Sequence, residues 1–300
     1  MIQLPYDLQN FVTRPAPTII AEIGCNHMGD LERAKSMIKI AKEQCDVQYA
    51  KFQKRNPKEL LSETQYQSPH PVPANSYGET YGAHREFLEF TQEQHHELLN
   101  YCKTIGIGYS SSVWDMTSAI QITEINPPLI KIGSGTNTHL ELVNYLCKNY
   151  NGEIHVSLGM TTTEEEKRLI DIFNKHKRLS DLVLYHCTSG YPVPPKDICL
   201  LGIKRLVEQY SNSIKGIGFS SHYDGVELDG AAFVLGADYI ERHFTLDKNW
   251  KGTDHSASLD PEELKFVRDS TKIVAESLTF KTKEVMDIEV SNRKKLKYIP

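Results

Sequence analysis

The sequence predicts a single (β/α)8 barrel. Eight short apolar runs read as strands, and each is followed by a helical signal. The runs are continuous rather than alternating, as in parallel strands buried on both faces. A length of 300 residues suits eight such units around one core. The expected organisation is a lead-in over 1–16, a catalytic barrel over 17–290 with a long loop at 55–85, and a tail over 291–300.

The first strand is Pro17–Ile23. The turn Asn26-His27-Met28-Gly29-Asp30 leads into a helix over Leu31–Gln44, with Asp30 as N-cap and Leu31, Ala34, Met37, Ile38 and Ala41 at helical spacing. The second strand is Val47–Phe52. The stretch 55–85 has no periodicity and is rich in Ser, Pro, His, Tyr and Asn, so it reads as a mobile active-site cover. A helix over Gln92–Thr104 precedes the third strand, Ile107–Ser111, and another helix starts from Trp114. Strands four to six are Leu129–Ile132, Ile154–Leu158 and Leu182–His186, the last followed by a proline-rich loop and a helix ending near Glu208. Strand seven, Gly216–Ser220, and strand eight, Ala237–His243, flank a helix over Val226–Leu235, and a final helix spans Pro261–Leu278 with Asp260 as N-cap.

In such barrels chemistry gathers where strands end. Those positions hold Glu22, Asn26 and His27, then Lys51 and Gln53, Ser111 and Ser112, Lys131 and Ser134, Ser157, His186 and Ser189, Ser220 and His222, and Glu241 and His243. His222 and His243 follow consecutive strands at one end of the sheet, with Asp254 and His255 in the next loop. Neutral imidazole is the commonest metal ligand, so the pair reads as a metal site. Two lysines in one cavity are costly unless anions meet them. With Ser134, Ser157 and Ser220 nearby, Lys51 and Lys131 suit a phosphate and a carboxylate, or pair with Glu22 and Glu241 when no substrate is bound.

Composition narrows the class. Net charge is −5, and no basic cluster is dense enough for nucleic acid. No apolar run approaches the roughly 18 residues of a membrane span. The N-terminus lacks a signal-peptide core, and six scattered cysteines without paired spacing fit reduced thiols in the cytoplasm. There is no Walker loop, dinucleotide glycine fingerprint or Gly-x-Ser-x-Gly elbow.

The run Ala21-Glu22-Ile23-Gly24-Cys25-Asn26-His27-Met28-Gly29-Asp30 resembles the opening motif of the sialic acid synthase family. So do Lys51-Phe52-Gln53, Lys131-Ile132-Gly133-Ser134-Gly135, Ser157-Leu158-Gly159-Met160, His186-Cys187-Thr188 and Arg242-His243-Phe244-Thr245-Leu246-Asp247, in the same order. The resemblance covers about residues 17–290 and implies a metal-dependent condensation of phosphoenolpyruvate with an open-chain amino sugar. The product would be a 3-deoxy-2-keto (nonulosonic) acid, of the kind used in surface polysaccharide biosynthesis, plus phosphate. It implies Mn2+ or Mg2+ on His222 and His243. Phosphoenolpyruvate would meet Lys51, Lys131, Ser134, Ser157, Ser189 and Ser220. Glu22 would be catalytic, together with Lys51, Lys131 and Asp254. Gln53, Ser112, Thr136, Tyr191 and Asp254 match acceptor-side positions, and a homodimer is the family-type assembly.

Three departures stand out. The residue before the first metal histidine is Ser221, where members usually carry aspartate. Thr136 stands where members carry a glutamate able to accept from two acceptor hydroxyls, so N-acetylmannosamine is not the expected preferred acceptor. Most members also continue into a small antifreeze-like domain; Asn292–Leu296 resembles the linker into it, and that domain's arginine has no counterpart in this sequence. The alternatives are a synthase of a shorter keto sugar acid from another aldose, and a non-catalytic phosphosugar-binding barrel.

Overall fold

The structure, a computed structural model, describes residues 14–281 and 283–298; most of the expected lead-in lies outside them. Eight parallel strands close into a barrel in chain order. They are β1 (Thr18–Gly24), β2 (Tyr49–Lys54), β3 (Gly108–Val113), β4 (Leu129–Ile132), β5 (Glu153–Ser157), β6 (Leu182–Cys187), β7 (Gly216–Ser221) and β8 (Tyr239–His243). The fold class is that expected from the sequence, and strand ends shift by one or two residues, as hydrogen-bond ladders rather than apolar runs define them.

The first helix, α1 (Leu31–Glu43), starts at Asp30, whose carboxylate accepts from the Glu32 and Arg33 amides. Helices α5 (Gln92–Ile105), α6 (Met116–Ile125), α7 (Leu140–Asn149), α8 (Thr163–Lys175), α10 (Leu201–Tyr210), α11 (Glu227–Leu235) and α12 (Pro261–Ser277) complete the outer ring. They lay Ala, Leu, Ile, Val and Phe side chains on the outer face of the strands in two large clusters. The barrel interior is different in kind. It holds a small apolar group of Ile20, Val183 and Tyr185 with Tyr49 and Tyr239 packed on it, and the buried charges Glu22, Lys51, Lys131 and Glu241. Arg242, on the opposite face of β8, pairs with buried Asp229 of α11 at 2.5 Å and donates to the Tyr223 and Gly225 carbonyls. It thereby anchors the β7–α11 loop.

The segment 55–85, expected to be an aperiodic loop covering the active site, carries short helices. It forms α2 (Pro57–Leu60), α3 (Glu63–Gln67) and a 3-10 turn at Pro73–Asn75, and leads into α4 (Tyr81–Leu88). Elements of three to five residues are too short to show an apolar period, and here tertiary contacts make them. The Glu59 carboxylate accepts from the Met116 and Thr117 amides and the Thr117 hydroxyl at the start of α6. Asp115 accepts from the Asn56 amide at 2.6 Å, and Ser62 and Gln65 form a reciprocal cap on α3. Further along, Tyr77 stacks on Phe87 at 5.0 Å between centroids, and its hydroxyl donates to the Lys251 carbonyl. At the other end, α9 (Pro195–Ile198) lies in the proline-rich loop, and α13 (Asp287–Leu296) runs across the boundary expected at 290.

Candidate active site

Parallel register brings the strand-end residues to one place. Glu22 pairs with Lys51 on one side and with His243 on the other. Ser112 pairs with Lys131, and Ser220 with Glu241. Lys51 Nζ lies 2.6 Å from Glu22 Oε2 and 3.7 Å from Glu241 Oε2, while Lys131 Nζ lies 3.0 Å from the same Glu241 oxygen. Two ammonium groups and two carboxylates thus alternate inside the barrel, balanced in charge, with Lys131 only 1% exposed. The pairing foreseen for a substrate-free site is present. Burial opposes the charge on Lys51, but Glu22 and Glu241 outweigh it and hold the ammonium above its ordinary range. For Lys131 burial wins, helped by repulsion from Lys51, and the group is pushed down to about 8 despite Glu241. Burial also opposes ionisation of Glu241, yet Lys131 and Lys51 hold it well below the usual carboxylate range.

Hydroxyls and amides ring this quartet. Lys51 donates to Ser112 Oγ at 2.9 Å, and Ser220 Oγ donates to Glu241 Oε1 at 3.1 Å. The Gln53 amide donates to Glu22 Oε1 at 2.6 Å, and its own carbonyl accepts from Arg55. Ser134 and Ser189 converge on Gly159. The Gly159 amide donates to Ser134 Oγ at 3.1 Å, and a Cβ on Gly159 would lie 2.3 Å from Ser189 Oγ. A side chain at 159 would also lie 2.6 Å from Ser134 Oγ, so only glycine lets both hydroxyls approach here. Ser157 is buried beside them, its carbonyl accepting from Asn137 Nδ2 at 2.8 Å.

His222 follows β7 directly and His243 ends β8, with ring centroids 5.4 Å apart. His222 Nδ1 lies 3.3 Å from the Thr188 carbonyl, which assigns the proton to Nδ1 and leaves the Nε2 lone pair free. Burial, and then the neighbouring His243, push His222 down to about 4, so the ring is neutral at ordinary pH. His243 Nδ1 is buried with no hydrogen-bond partner. A neutral ring with a free lone pair beside an orphaned ring nitrogen fits a divalent cation. Among the described residues no group of three or more His, Cys, Asp or Glu gathers at metal-ligating distance.

The Tyr191 ring lies tilted against that of His222, with centroids 4.1 Å apart, and Tyr191 is 62% exposed. Asp254 sits in the loop after β8. Its carbonyl accepts from Ser258 Oγ, which also accepts from Asn26 Nδ2, so the turn after β1 holds this loop in place. Thr136 is buried, and its hydroxyl lies 3.4 Å from the Gly133 carbonyl as a weak donor. It is turned into its own loop. Reading from the sequence missed Arg55 and Tyr185. Arg55 packs on the Trp114 ring and pairs with Glu89 at 3.4 Å; its only sequence signal was its place just after Lys51-Phe52-Gln53.

Comparison with known proteins gives a consistent result. A family model described as "NeuB family" matches residues 37–283. The N-acetylneuraminate-9-phosphate synthase of Homo sapiens is 37% identical over 281 residues, covering 93% of this chain and 76% of that protein. The N,N'-diacetyllegionaminic acid synthase of Campylobacter jejuni is 34% identical over 250 residues, covering 83% and 73%. Among solved structures, an N-acetylneuraminic acid synthetase from Leptospira borgpetersenii, described in complex with citrate, superposes with a TM-score of 0.78 at 27% identity, covering 96% of this chain and 94% of that one. Among the described residues no helix is long and apolar enough to cross a membrane.

Proposed function

The chain belongs to the NeuB family, and on that premise we propose that it condenses phosphoenolpyruvate with an open-chain hexosamine to give a nonulosonic acid and phosphate. The observation that carries this reading is the buried quartet Glu22, Lys51, Glu241 and Lys131 beside two converging imidazoles. Ammonium groups already balanced by carboxylates can exchange partners for an anionic substrate without a net charge being buried. Lys51 and Lys131 bind the phosphoenolpyruvate anion, and Ser134, Ser157, Ser189 and Ser220 donate to its oxygens. The new bond joins C3 of phosphoenolpyruvate to the aldehyde carbon, water adds at C2, and phosphate leaves. Glu22, held between Lys51 and Gln53, stabilises positive charge at C2 or takes a proton from the attacking water. Mn2+ or Mg2+ on His222 and His243 would supply Lewis acidity toward the acceptor carbonyl. Asp254, Gln53, Ser112 and Tyr191 orient the acceptor.

The relatives' names divide between a 9-phosphorylated and an unphosphorylated product. A nine-carbon acid made from a three-carbon unit and a hexose carries on C9 what the hexose carried on C6. The acceptor is therefore decided at the hexose O6 and at the amino substituent. The Thr136 hydroxyl is turned toward Gly133 and leaves acceptor hydroxyls without a partner, at a cost of about 1–3 kcal/mol each. N-acetylmannosamine is thus not the preferred acceptor. The test is phosphate release from phosphoenolpyruvate with manganese across a panel of hexosamines, with and without a 6-phosphate. Release that depends on a sugar is expected, at a kcat/KM above about 10⁴ M⁻¹s⁻¹ for the best acceptor. No release with any sugar would favour the non-catalytic barrel, and N-acetylmannosamine as the best substrate would overturn the argument from Thr136.

A further inference from the structure

Beside the anion site stands a hydrogen-bonded column that the proposed reaction leaves unused. Lys131 Nζ lies 3.2 Å from the centroid of the Tyr185 ring, well inside the range in which an aromatic face attracts a cation. Tyr185 is fully buried, so water does not dilute the contact. Its ring is fixed from behind. His155 Nε2 is 3.2 Å from Glu153 Oε2, and His155 Nδ1 is 2.9 Å from the Tyr185 hydroxyl. A carboxylate only accepts, so the imidazole proton is on Nε2, and Nδ1 accepts the phenol's proton. The His155 bond, ahead of opposing burial, keeps Glu153 ionised to well below the usual range, and burial keeps His155 neutral, at about 4. Tyr239 and Lys215 hold the other end, at 3.3 and 3.2 Å from Glu153. The slot for the ring is cut by Gly218 of β7, where a Cβ would lie 2.4 Å from Tyr185 ring carbons.

Lys131 has few other sources of charge stabilisation. Glu241 from β8 favours the ammonium, as does Cys187 of β6 more weakly, while Lys51 from β2 opposes it; neutral His155 of β5 lies behind Tyr185. We propose that Tyr185 is a positioning residue for Lys131: its ring face, aimed by the Glu153–His155–Tyr185 column, holds the ammonium as a cation at the anion site. The role rests on the reading of Lys131 as an anion-binding group, but the contact can be measured without any substrate.

The experiment follows the side-chain carbon signals of the protein labelled with 13C-lysine as pH rises, with Lys131 assigned by the loss of its signal in Lys131→Met. Removing the ring removes an attraction that favours the charged form, so the Lys131 midpoint falls. In Tyr185→Leu it is expected about one pH unit below wild type, and in Tyr185→Phe, which keeps the ring but frees it from His155, about half a unit below. An unchanged midpoint in Tyr185→Leu, or in Tyr185→Phe where Tyr185→Leu does not fold, overturns the proposal. The titration is read on the substrate-free protein, so its outcome is separate from the phosphate-release assay that tests the proposed reaction.

Discussion

Glu22→Gln lowers the rate of phosphate release by roughly 10²–10⁴, the range for a lost acid–base group, while the protein melts within a few degrees of wild type. Two of the named residues meet at the carboxylate, Lys51 at 2.6 Å and Gln53 at 2.6 Å, and Glu22 stands beside His243 in the β1–β8 strand register. Glutamine keeps the shape and still accepts from Lys51 through its carbonyl. It loses the charge, and with it the ability to take a proton or to stabilise a cationic carbon. Stability holds because Lys51 retains a second carboxylate, Glu241, at 3.7 Å. The buried ammonium is not left unpaired, which is the situation that costs about 3–5 kcal/mol. A wild-type rate in Glu22→Gln rules out its catalytic role. A large fall in melting temperature would show that Glu22 serves the fold.

The second large effect concerns His222 and His243. Either alanine substitution is expected to reduce bound manganese from one ion per chain to near zero, measured by elemental analysis after gel filtration. Turnover is expected to fall by on the order of 10²–10⁴, as several kcal/mol of charge stabilisation at the acceptor carbonyl are lost. A chelator reproduces the loss in wild type, and added manganese reverses it there but not in the variants. Because His222 is neutral and bonds only the Thr188 carbonyl, and His243 Nδ1 has no protein partner, removing the His222 ring breaks one hydrogen bond and removing the His243 ring breaks none at Nδ1, and the fold is expected to persist. Full manganese binding in His222→Ala would remove the pair from the metal site.

Much of this site is legible in the sequence. Glu22, Lys51, Lys131, His222 and His243 were identifiable because parallel strands end in loops at one rim, and a polar residue that closes an apolar run has few places to go except into the mouth. The helices inside 55–85 were not legible. Their capping residues, Ser62 with Gln65 and Thr80 with Ala83, are local signals, but segments of four or five residues are stable only once Glu59 and Asp115 tie them to the start of α6. The orientation of Thr136 was equally hidden, since it depends on how one turn closes on Gly133.

By itself, then, the chain's pattern determined the barrel, the order of its strands and the list of groups at their ends, because each of these depends on periodicity and on neighbours along the sequence. Only the tertiary structure decided which groups meet. Lys131 on β4 reaches Glu241 on β8 across the barrel, and Tyr185 on β6 lays its ring against Lys131 because β7 carries a glycine at 218. These contacts span strands that are not paired with one another. Their partners are chosen by the stagger and closure of the whole sheet and by which side chains leave room inside it, and no stretch of sequence encodes that locally.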